Sequence, residues 1–496
     1  MQAPLAEIFA DFVYRTRFSD VTPSAAERAC QSTLDTVGVM MAATALEPSV
    51  VPLLDLVLDA GGRPECTVLG TQRKVSAIMA AFANGGFAHA LDFDDHAPEG
   101  HHPSSSIVPV CLALSERLGN ITGAQFVTAV ALGQDMFMRI RRNVVWKHDW
   151  HLTTIIGVFS ATASAAYLLG LDRSQTANAL GIAGVQAAGT YELVQGVENE
   201  VRGMYAGFVS KHAIISALLA QRNVRGPHTI FDGPTGFFNV YFQGRYDRER
   251  MLERLGEMFL GEDLCYKPWP TCGLSHTYIH ACRRLLAENA IAFDEIARIR
   301  IFAGEGPLFL CTPLEMRCNP QTSSDAKFSI PYIVALTLRN GTVAPADFTP
   351  EGLRNEHIRE IASRIVVEPE TDVRWESSLP DGRVELTMKS GRVFSCTGSN
   401  VPGHPGAPMG WDELIEKYES CLRASSVCLS DAAIADTVRM LRNIDSVGNV
   451  ARIVDLLAGR GGTLPHSTGC DEPSEQLTMR EKRLTGQAAA GRREST

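Results

Sequence analysis

Apolar residues recur at helical spacing through the first half of the chain, from Leu5 to about Leu260. These segments are rich in alanine and glycine, which let helix axes approach closely, so the pattern predicts a compact bundle with several buried helices. A capping box at Ser24, with Glu27 three residues later, predicts the start of a long helix. Further helices are predicted at residues 75–91, 107–118, 124–138, 157–169, 175–188 and 207–221.

The pattern changes after Tyr266. Residues 296–303 alternate apolar and basic side chains, which is the period of a half-buried strand. Residues 364–367 and 383–396 also predict strands, the second set as a hairpin that turns at 389–391. Helices are predicted at residues 277–289 and 329–338, and two amphipathic helices follow a Gly/Pro-rich segment at 401–410.

A chain of 496 residues is too long for one ordinary core. We therefore expect an all-helical domain made of residues 1–266 and 402–460, and a smaller α+β domain made of residues 267–401. Residues 461–496 are polar and Gly-rich, and we expect them to be disordered.

Composition narrows the class of protein. A hydrophobic fraction of 45% and a charged fraction of 21% are typical of globular proteins, and the net charge of −10 argues against nucleic-acid or anionic-membrane binding. The 12 cysteines are scattered without metal-ligand spacing, and no basic targeting segment opens the chain. The longest apolar stretch, near residues 157–171, is short for a membrane span and predicts a buried helix. We expect a cytoplasmic protein.

Titratable side chains concentrate in residues 88–106, A-H-A-L-D-F-D-D-H-A-P-E-G-H-H-P-S-S-S, which hold four of the 13 histidines. Asp92 and His102 belong to this segment, at the point where an apolar helix gives way to a loop. Groups that exchange protons near neutral pH at such a place are typical of an acid–base site. A helix cap or a solvated turn is the structural alternative for the aspartates.

Three other clusters carry candidate chemistry. His151 precedes an apolar helix, Arg202 precedes a small-residue helix, and the segment K-P-W-P-T-C-G-L-S-H carries Lys267, Cys272 and His276. The structural alternative for His151 is a hydrogen-bonding helix cap, and for Cys272 and His276 it is a buried thiol beside a surface imidazole. The spacing supports no metal site, and no nucleotide-binding or serine-hydrolase motif occurs, so we expect no metal and no cofactor.

Taken together, these motifs resemble the MmgE/PrpD family. The resemblance rests on H-A-L-D-F-D-D followed by H-P-S-S, on K-P-W-P-T-C-G-L-S-H, on D-A-K-F-S-I-P-Y at 325–332 and on P-M-G-W-D-E-L-I-E-K-Y, in order over about residues 5–455. It implies a mostly α fold, with a large all-helical domain and a smaller α+β lid domain. It also implies a homodimer without metal or organic cofactor.

The resemblance also implies the site residues. It places six side chains around a cleft between the domains: Asp92, His102, His151, Lys267, His276 and Tyr332. The family commonly has K-x-L-H-x-G where this chain has Arg202 and Tyr205 in place of the lysine and the histidine. Arginine keeps the positive charge and adds a fork that matches a carboxylate, but it does not donate a proton near neutral pH.

Metal-free chemistry on a polycarboxylate needs three things. Cations hold the carboxylates, a base removes a carbon-bound proton, and an acid protonates the leaving group or the product carbanion. We expect Arg202, Lys267 and Cys272 to bind substrate, and the histidines, Asp92 and Tyr332 to be catalytic. His151 and His276 are the expected proton carriers. The predicted function is a lyase, either dehydratase or decarboxylase. An epimerase that uses two bases and a non-catalytic family member remain the alternatives.

Overall fold

The computed structural model describes residues 2–371 and 379–459, so the predicted disordered tail at 461–496 lies outside the described residues. The first part of the chain is helical, as the apolar pattern predicts. Its longer helices are Leu5–Arg15, Pro23–Leu46, Val50–Ala60, Ala77–Ala90, Ser104–Leu118, Gly123–Arg142, Leu152–Leu168, Arg173–Ala183 and Tyr205–Gln221. Its shorter helices are Glu192–Gln195, Phe237–Phe242 and Arg248–Leu252. The C-terminal helices Trp411–Arg423, Asp431–Arg442 and Ala451–Leu457 share its core.

Two local details differ from the sequence prediction. The helix Pro23–Leu46 begins before Ser24, because the Thr22 hydroxyl accepts the Ala25 N–H at 3.3 Å and proline occupies the first helical position. The predicted capping box at Ser24 is therefore wrong. The first part also contains a two-stranded antiparallel ribbon, Cys66–Thr67 with Lys74–Val75. No period-2 pattern in the sequence predicts it.

Small residues bring two helices close together beside the site. A Cβ atom on Gly207 would lie 2.3 Å from the Phe82 carbonyl oxygen, and one on Gly85 would lie 2.6 Å from the Ser210 hydroxyl. Only glycine allows the helices Ala77–Ala90 and Tyr205–Gln221 to pack this tightly. The end of one helix and the start of the other consequently meet, and both carry residues of the cavity described below.

The second part combines helices with a four-stranded sheet. Its strands are Ile296–Ala303, Ile365–Pro369, Gly382–Met388 and Val393–Gly398. Ile296–Ala303 pairs parallel with Ile365–Pro369 and antiparallel with Gly382–Met388, which pairs in turn with Val393–Gly398. The predicted hairpin turn is confirmed at Gly391, whose φ of +81° suits glycine. The helices are His276–Glu288, Glu305–Phe309, Leu314–Cys318, Ser323–Lys327, Ile330–Asn340, Pro350–Leu353 and Glu356–Ala362.

Each part has its own buried hydrophobic cluster, and buried charges join the two. Lys327, on a short helix of the second part, pairs with Glu47 and also donates to the Ala90 carbonyl at 2.9 Å. Lys417, on a C-terminal helix, donates to the carbonyl oxygens of Phe93 at 2.6 Å and Lys267 at 3.0 Å. These contacts fix the backbone on both sides of the cavity.

The helix Leu152–Leu168 is buried along almost its whole length, which confirms the interpretation of the longest apolar stretch as an internal helix. Within residues 2–371 and 379–459, no single helix combines the length and apolar composition needed to cross a bilayer. The bent pair Pro23–Leu46 and Val50–Ala60, which meets at 98°, satisfies length and composition alone.

Candidate active site

A cavity with about 580 Å³ of empty space, its mouth included, lies where the two parts of the chain meet. The first part lines it with His89, Asp92, His96, Gly100, His101, His102, His151, Thr153, Tyr191, Val194, Arg202 and Tyr205. The second part contributes Lys267, Cys272, Gly273, Leu274, Phe309, Phe328 and Leu379. Polar groups thus come mostly from one part, and apolar side chains mostly from the other.

The carboxylate of Asp94 lies beside two imidazoles beneath the cavity. Its oxygens lie 2.9 Å from Nδ1 of His89, which they hydrogen-bond, and 3.2 Å from Nδ1 of His102. The Nδ1 of His102 donates its hydrogen bond to the Asp95 carbonyl at 2.7 Å. Burial alone would raise the pKa of Asp94, but the two imidazoles hold that pKa well below its usual range. An ionised carboxylate at Nδ1 fixes the ring orientation and leaves Nε2 for other contacts. The sequence marks Asp94 as one of the titratable residues of this segment without giving it a role, and it does not single out His89; the signal for both was their position within the histidine-rich segment.

Asp92 and Lys267 form a buried ion pair at the cavity wall. The Lys267 ammonium donates to the Asp92 carboxylate and, at 3.1 Å, to the Asp92 carbonyl. Burial raises the pKa of Asp92, but Lys267, His89 and His102 together lower it to about 2. Lys267 is thus bound to a protein carboxylate, and Asp94 contacts His102 more closely than Asp92, whose Oδ1 is 3.8 Å from Nε2.

His151 caps the helix Leu152–Leu168 without a capping bond from its side chain. The imidazole is 3% exposed, and its Nδ1 has no hydrogen-bond partner. Burial is the main cause that holds the pKa of His151 well below its usual range. Positive charge on the neighbouring His89, His102 and Arg202 lowers this pKa further. The ring is consequently neutral at neutral pH and able to accept a proton. Burial, rather than the helix dipole, is the main cause of the lowered pKa of His151.

Tyr205 lies between two of the imidazoles. The centre of its ring is 4.4 Å from that of His89 and 4.3 Å from that of His151. Burial, with the charges of Asp94 and Asp92, raises the pKa of the Tyr205 phenol well above its ordinary value. The phenol therefore keeps its proton at neutral pH.

Arg202 is buried with one of its donor atoms unused. Its Nε donates to the Leu193 carbonyl at 3.2 Å and its Nη2 to the Gly196 carbonyl, while Nη1 has no partner. The guanidinium also lies 4.1 Å from the ring centre of Phe328. Burial, followed by the charge of Arg317, lowers the pKa of Arg202 to about 10, so the group stays charged at neutral pH.

The remaining expected residues differ in position. Cys272 lines the cavity, and burial raises the pKa of its thiol to about 12. His276 lies behind the lining, with Nε2 3.2 Å from the Thr271 carbonyl; burial, then the charge of Lys267, lowers its pKa to about 3. Tyr332 does not line the cavity, because it lies in the first turn of the helix Ile330–Asn340, inside the second core. The expected placement of Tyr332 at the cleft is therefore corrected.

Four of these side chains, His89, Asp92, Asp94 and His102, place ligand atoms within 4.8 Å of one another. That spacing suits a metal ion. The Lys267 ammonium, however, already occupies Asp92, while Nδ1 of His89 binds Asp94 and Nδ1 of His102 binds the Asp95 carbonyl. A second cation at this point would be repelled by the ammonium.

Comparison with known sequences agrees with the motifs. A sequence model described as the MmgE/PrpD N-terminal domain matches residues 7–249, and one described as the MmgE/PrpD C-terminal domain matches residues 269–443. Cis-aconitate decarboxylase of Homo sapiens is 22% identical, over 92% of this chain and 95% of that protein. The 2-methylcitrate dehydratase of Cupriavidus necator is 26% identical, over 84% of this chain and 90% of that protein. The mitochondrial 2-methylcitrate dehydratase of Yarrowia lipolytica is 25% identical over 72% of each.

Proposed function

The chain belongs to the MmgE/PrpD family, and we propose that it is a cofactor-independent lyase that acts on a small di- or tricarboxylate by histidine acid–base catalysis. The relatives named as a decarboxylase and as dehydratases support this reaction class. One observation carries the proposal most directly. The buried Nδ1 of His151 has no partner, in a cavity that also holds an imidazole bound to a carboxylate.

In the proposed reaction, Arg202 holds a substrate carboxylate through Nη1. For dehydration, His151 takes the carbon-bound proton at Nδ1, and the electron pair forms the double bond as hydroxide leaves. The protonated His102 gives its proton to that hydroxide, so water is released. For decarboxylation, the carbon–carbon bond breaks, carbon dioxide leaves, and an imidazolium protonates the carbanion.

Three neighbouring groups support these transfers. Asp94 stabilises His102 when it carries two protons, because its carboxylate is ionised and lies 3.2 Å from Nδ1. A bound anionic substrate raises the pKa of both His102 and His151, which puts proton exchange within reach at neutral pH. The Lys267 ammonium and the Tyr205 hydroxyl stabilise negative charge that develops on the substrate. His276 holds the Thr271 carbonyl and is proposed as a positioning residue.

The test is a turnover experiment in D₂O followed by NMR, with methylcitrate, cis-aconitate and iminodisuccinate as substrates. Loss of water or of carbon dioxide supports the lyase and distinguishes its two forms. Deuterium incorporation with inversion at carbon would replace it by the epimerase alternative. No reaction of any of the three acids would contradict the proposal for these substrates.

We also propose a cytoplasmic homodimer, with residues 1–266 and 402–460 as one domain and 267–401 as the other. Apart from Cys428, the described cysteines are free thiols, in keeping with a reducing compartment. The helix Tyr205–Gln221 exposes Phe208 and Leu219, with 39% and 37% of their surfaces accessible, which supports an association face. Light scattering at micromolar concentration should give twice the chain mass; a monomer would contradict the dimer.

A further inference from the structure

The neighbours of His102 determine which of its ring nitrogens carries the hydrogen when the ring is neutral. Nδ1 lies 2.7 Å from the Asp95 carbonyl oxygen and 3.2 Å from the Asp94 carboxylate. The first neighbour is a carbonyl and the second an ionised carboxylate, so both only accept hydrogen bonds. Nδ1 therefore carries the hydrogen, and the lone pair of the neutral ring is on Nε2.

The side chain of Asp95 belongs to a buried chain of hydrogen bonds behind the cavity. Its Oδ2 accepts the Ser104 hydroxyl at 2.6 Å, and its Oδ1 accepts the Ser104 N–H at 3.3 Å. The Ser104 hydroxyl accepts in turn from the Gln134 amide at 2.9 Å. All three residues are fully buried, and none of them lines the cavity. They therefore act on a ligand only through the residues that they hold.

The Asp95 carboxylate also caps a helix whose own cap residue has no suitable side chain. The helix Ser104–Leu118 follows Pro103, which makes no side-chain capping bond, and a helix start leaves its first N–H groups without partners inside the helix. Asp95 accepts the first of them, at the end of the helix where negative charge is favoured. Asp95 thus has two attachments: its carboxylate is fixed to a buried helix, and its carbonyl oxygen holds the His102 ring.

We propose that Asp95 is a positioning residue of this site, which acts through His102 and does not touch the substrate. It keeps Nδ1 of His102 protonated and the ring oriented, so that Nε2 is the nitrogen that exchanges a proton with the ligand. Nε2 lies 3.8 Å from Oδ1 of Asp92, which lines the cavity. In the proposed dehydration, the proton that His102 gives to the departing hydroxide leaves from Nε2, and the ring returns to its neutral form with hydrogen on Nδ1.

The inference rests on the proposed function for the proton exchange, whereas the position of the hydrogen on the ring is a property of the free protein. The first test therefore uses long-range proton–nitrogen correlation NMR of wild-type protein with isotope-labelled histidine, and the His102→Gln spectrum identifies the His102 signals. The spectra are recorded at about pH 8, above the ordinary imidazole pKa. This is also above the pKa of Asp95, which burial raises to about 7. We expect hydrogen on Nδ1 and none on Nε2. Hydrogen on Nε2 would overturn the inference, whatever the turnover experiment gives.

The second test measures kcat for Ser104→Ala on the acid that the wild type converts. This variant removes a donor from the Asp95 carboxylate without altering a lining residue. Ser115→Ala is the matched control, because Ser115 is a buried serine of the same helix whose hydroxyl donates to the Cys111 carbonyl at 2.7 Å. We expect Ser104→Ala to lower kcat about tenfold or more with little change in KM, and Ser115→Ala to keep kcat within about twofold of wild type.

A double-mutant cycle separates positioning from a general loss of stability. In the His102→Gln background, Ser104→Ala should change kcat by less than about twofold, because the residue that it helps to position is already gone. An equal fall in both backgrounds, or an unchanged kcat in folded Ser104→Ala, would contradict the positioning role. If thermal unfolding shows that Ser104→Ala is not folded, Asp95→Asn takes its place in the cycle. If none of the acids is converted, the proposed function fails, and the wild-type spectrum still decides where the hydrogen lies.

Discussion

Replacing Lys417 by methionine should damage stability and activity together. Its ammonium lies 2.6 Å from the Asp35 carboxylate, and the two side chains are only 6% and 0% exposed. Removing one partner of such a pair leaves a buried charge without compensation, which costs about 3–5 kcal/mol of unfolding free energy. The same ammonium binds the carbonyl oxygens of Phe93 and Lys267. Phe93 follows Asp92 in the chain, and Lys267 is the ion-pair partner of Asp92. We therefore expect kcat to fall as well, by about tenfold or more.

Urea unfolding at neutral pH measures the loss, and the double variant with Asp35→Asn is the matched control. Burial raises the pKa of Asp35 even with Lys417 present. A carboxyl with a raised pKa in the fold destabilises the protein above its pKa and stops doing so once protonated. The loss in Lys417→Met should accordingly shrink as the pH falls, and the double variant should recover part of it. A pH-independent loss below about 1 kcal/mol, equal in both variants, would refute the reasoning.

Three other predictions follow from the site and its surroundings. Arg202→Lys should raise KM more than it lowers kcat in steady-state kinetics, because a fork contact is lost while the charge remains; a higher kcat on methylcitrate or aconitate would contradict the binding role. Glu47→Gln should cost about 3–5 kcal/mol at neutral pH. Burial would raise the pKa of Glu47, but Lys327 lowers this pKa overall. The ionised carboxylate therefore stabilises the fold above the ordinary pKa of 4.5, and this stabilisation is lost as the pH falls. Acid unfolding should show the free energies of unfolding of the variant and the wild type converging at low pH. Prolonged EDTA treatment should leave activity unchanged, and a fall that a divalent metal reverses would identify His89, Asp92, Asp94 and His102 as a metal site.

The fold class could be predicted from the sequence because the periodicities are local. The alternation in Ile296–Ala303 and the turn at Gly391 follow from neighbouring residues, and both occur as expected. The cap at Thr22 was missed because Ser24 offers equally good capping chemistry two residues later. Local propensity does not choose between such close alternatives.

The sequence predicts which residues form the site, but it does not predict which of them contact each other. His102, His151, Arg202 and Lys267 all line one cavity, as motif positions suggested. Two contacts depend on how the loop with Asp92 at φ +48° turns its carboxylates: Asp94 lies closer to His102 than Asp92 does, and Lys267 binds Asp92. Such a turn is set by tertiary packing, including the Lys417 contact from a helix more than 300 residues away in sequence.

The central claim is that His151 is the base of a histidine-catalysed lyase, and its most direct test compares His151→Gln with wild type on the acid that wild type converts. Product formation followed by NMR in D₂O gives kcat and KM for both proteins, and thermal unfolding verifies that the variant is folded. The account predicts a kcat lower by about 10²–10⁴-fold with a modest change in KM. A folded variant that retains kcat within about twofold of wild type would contradict it.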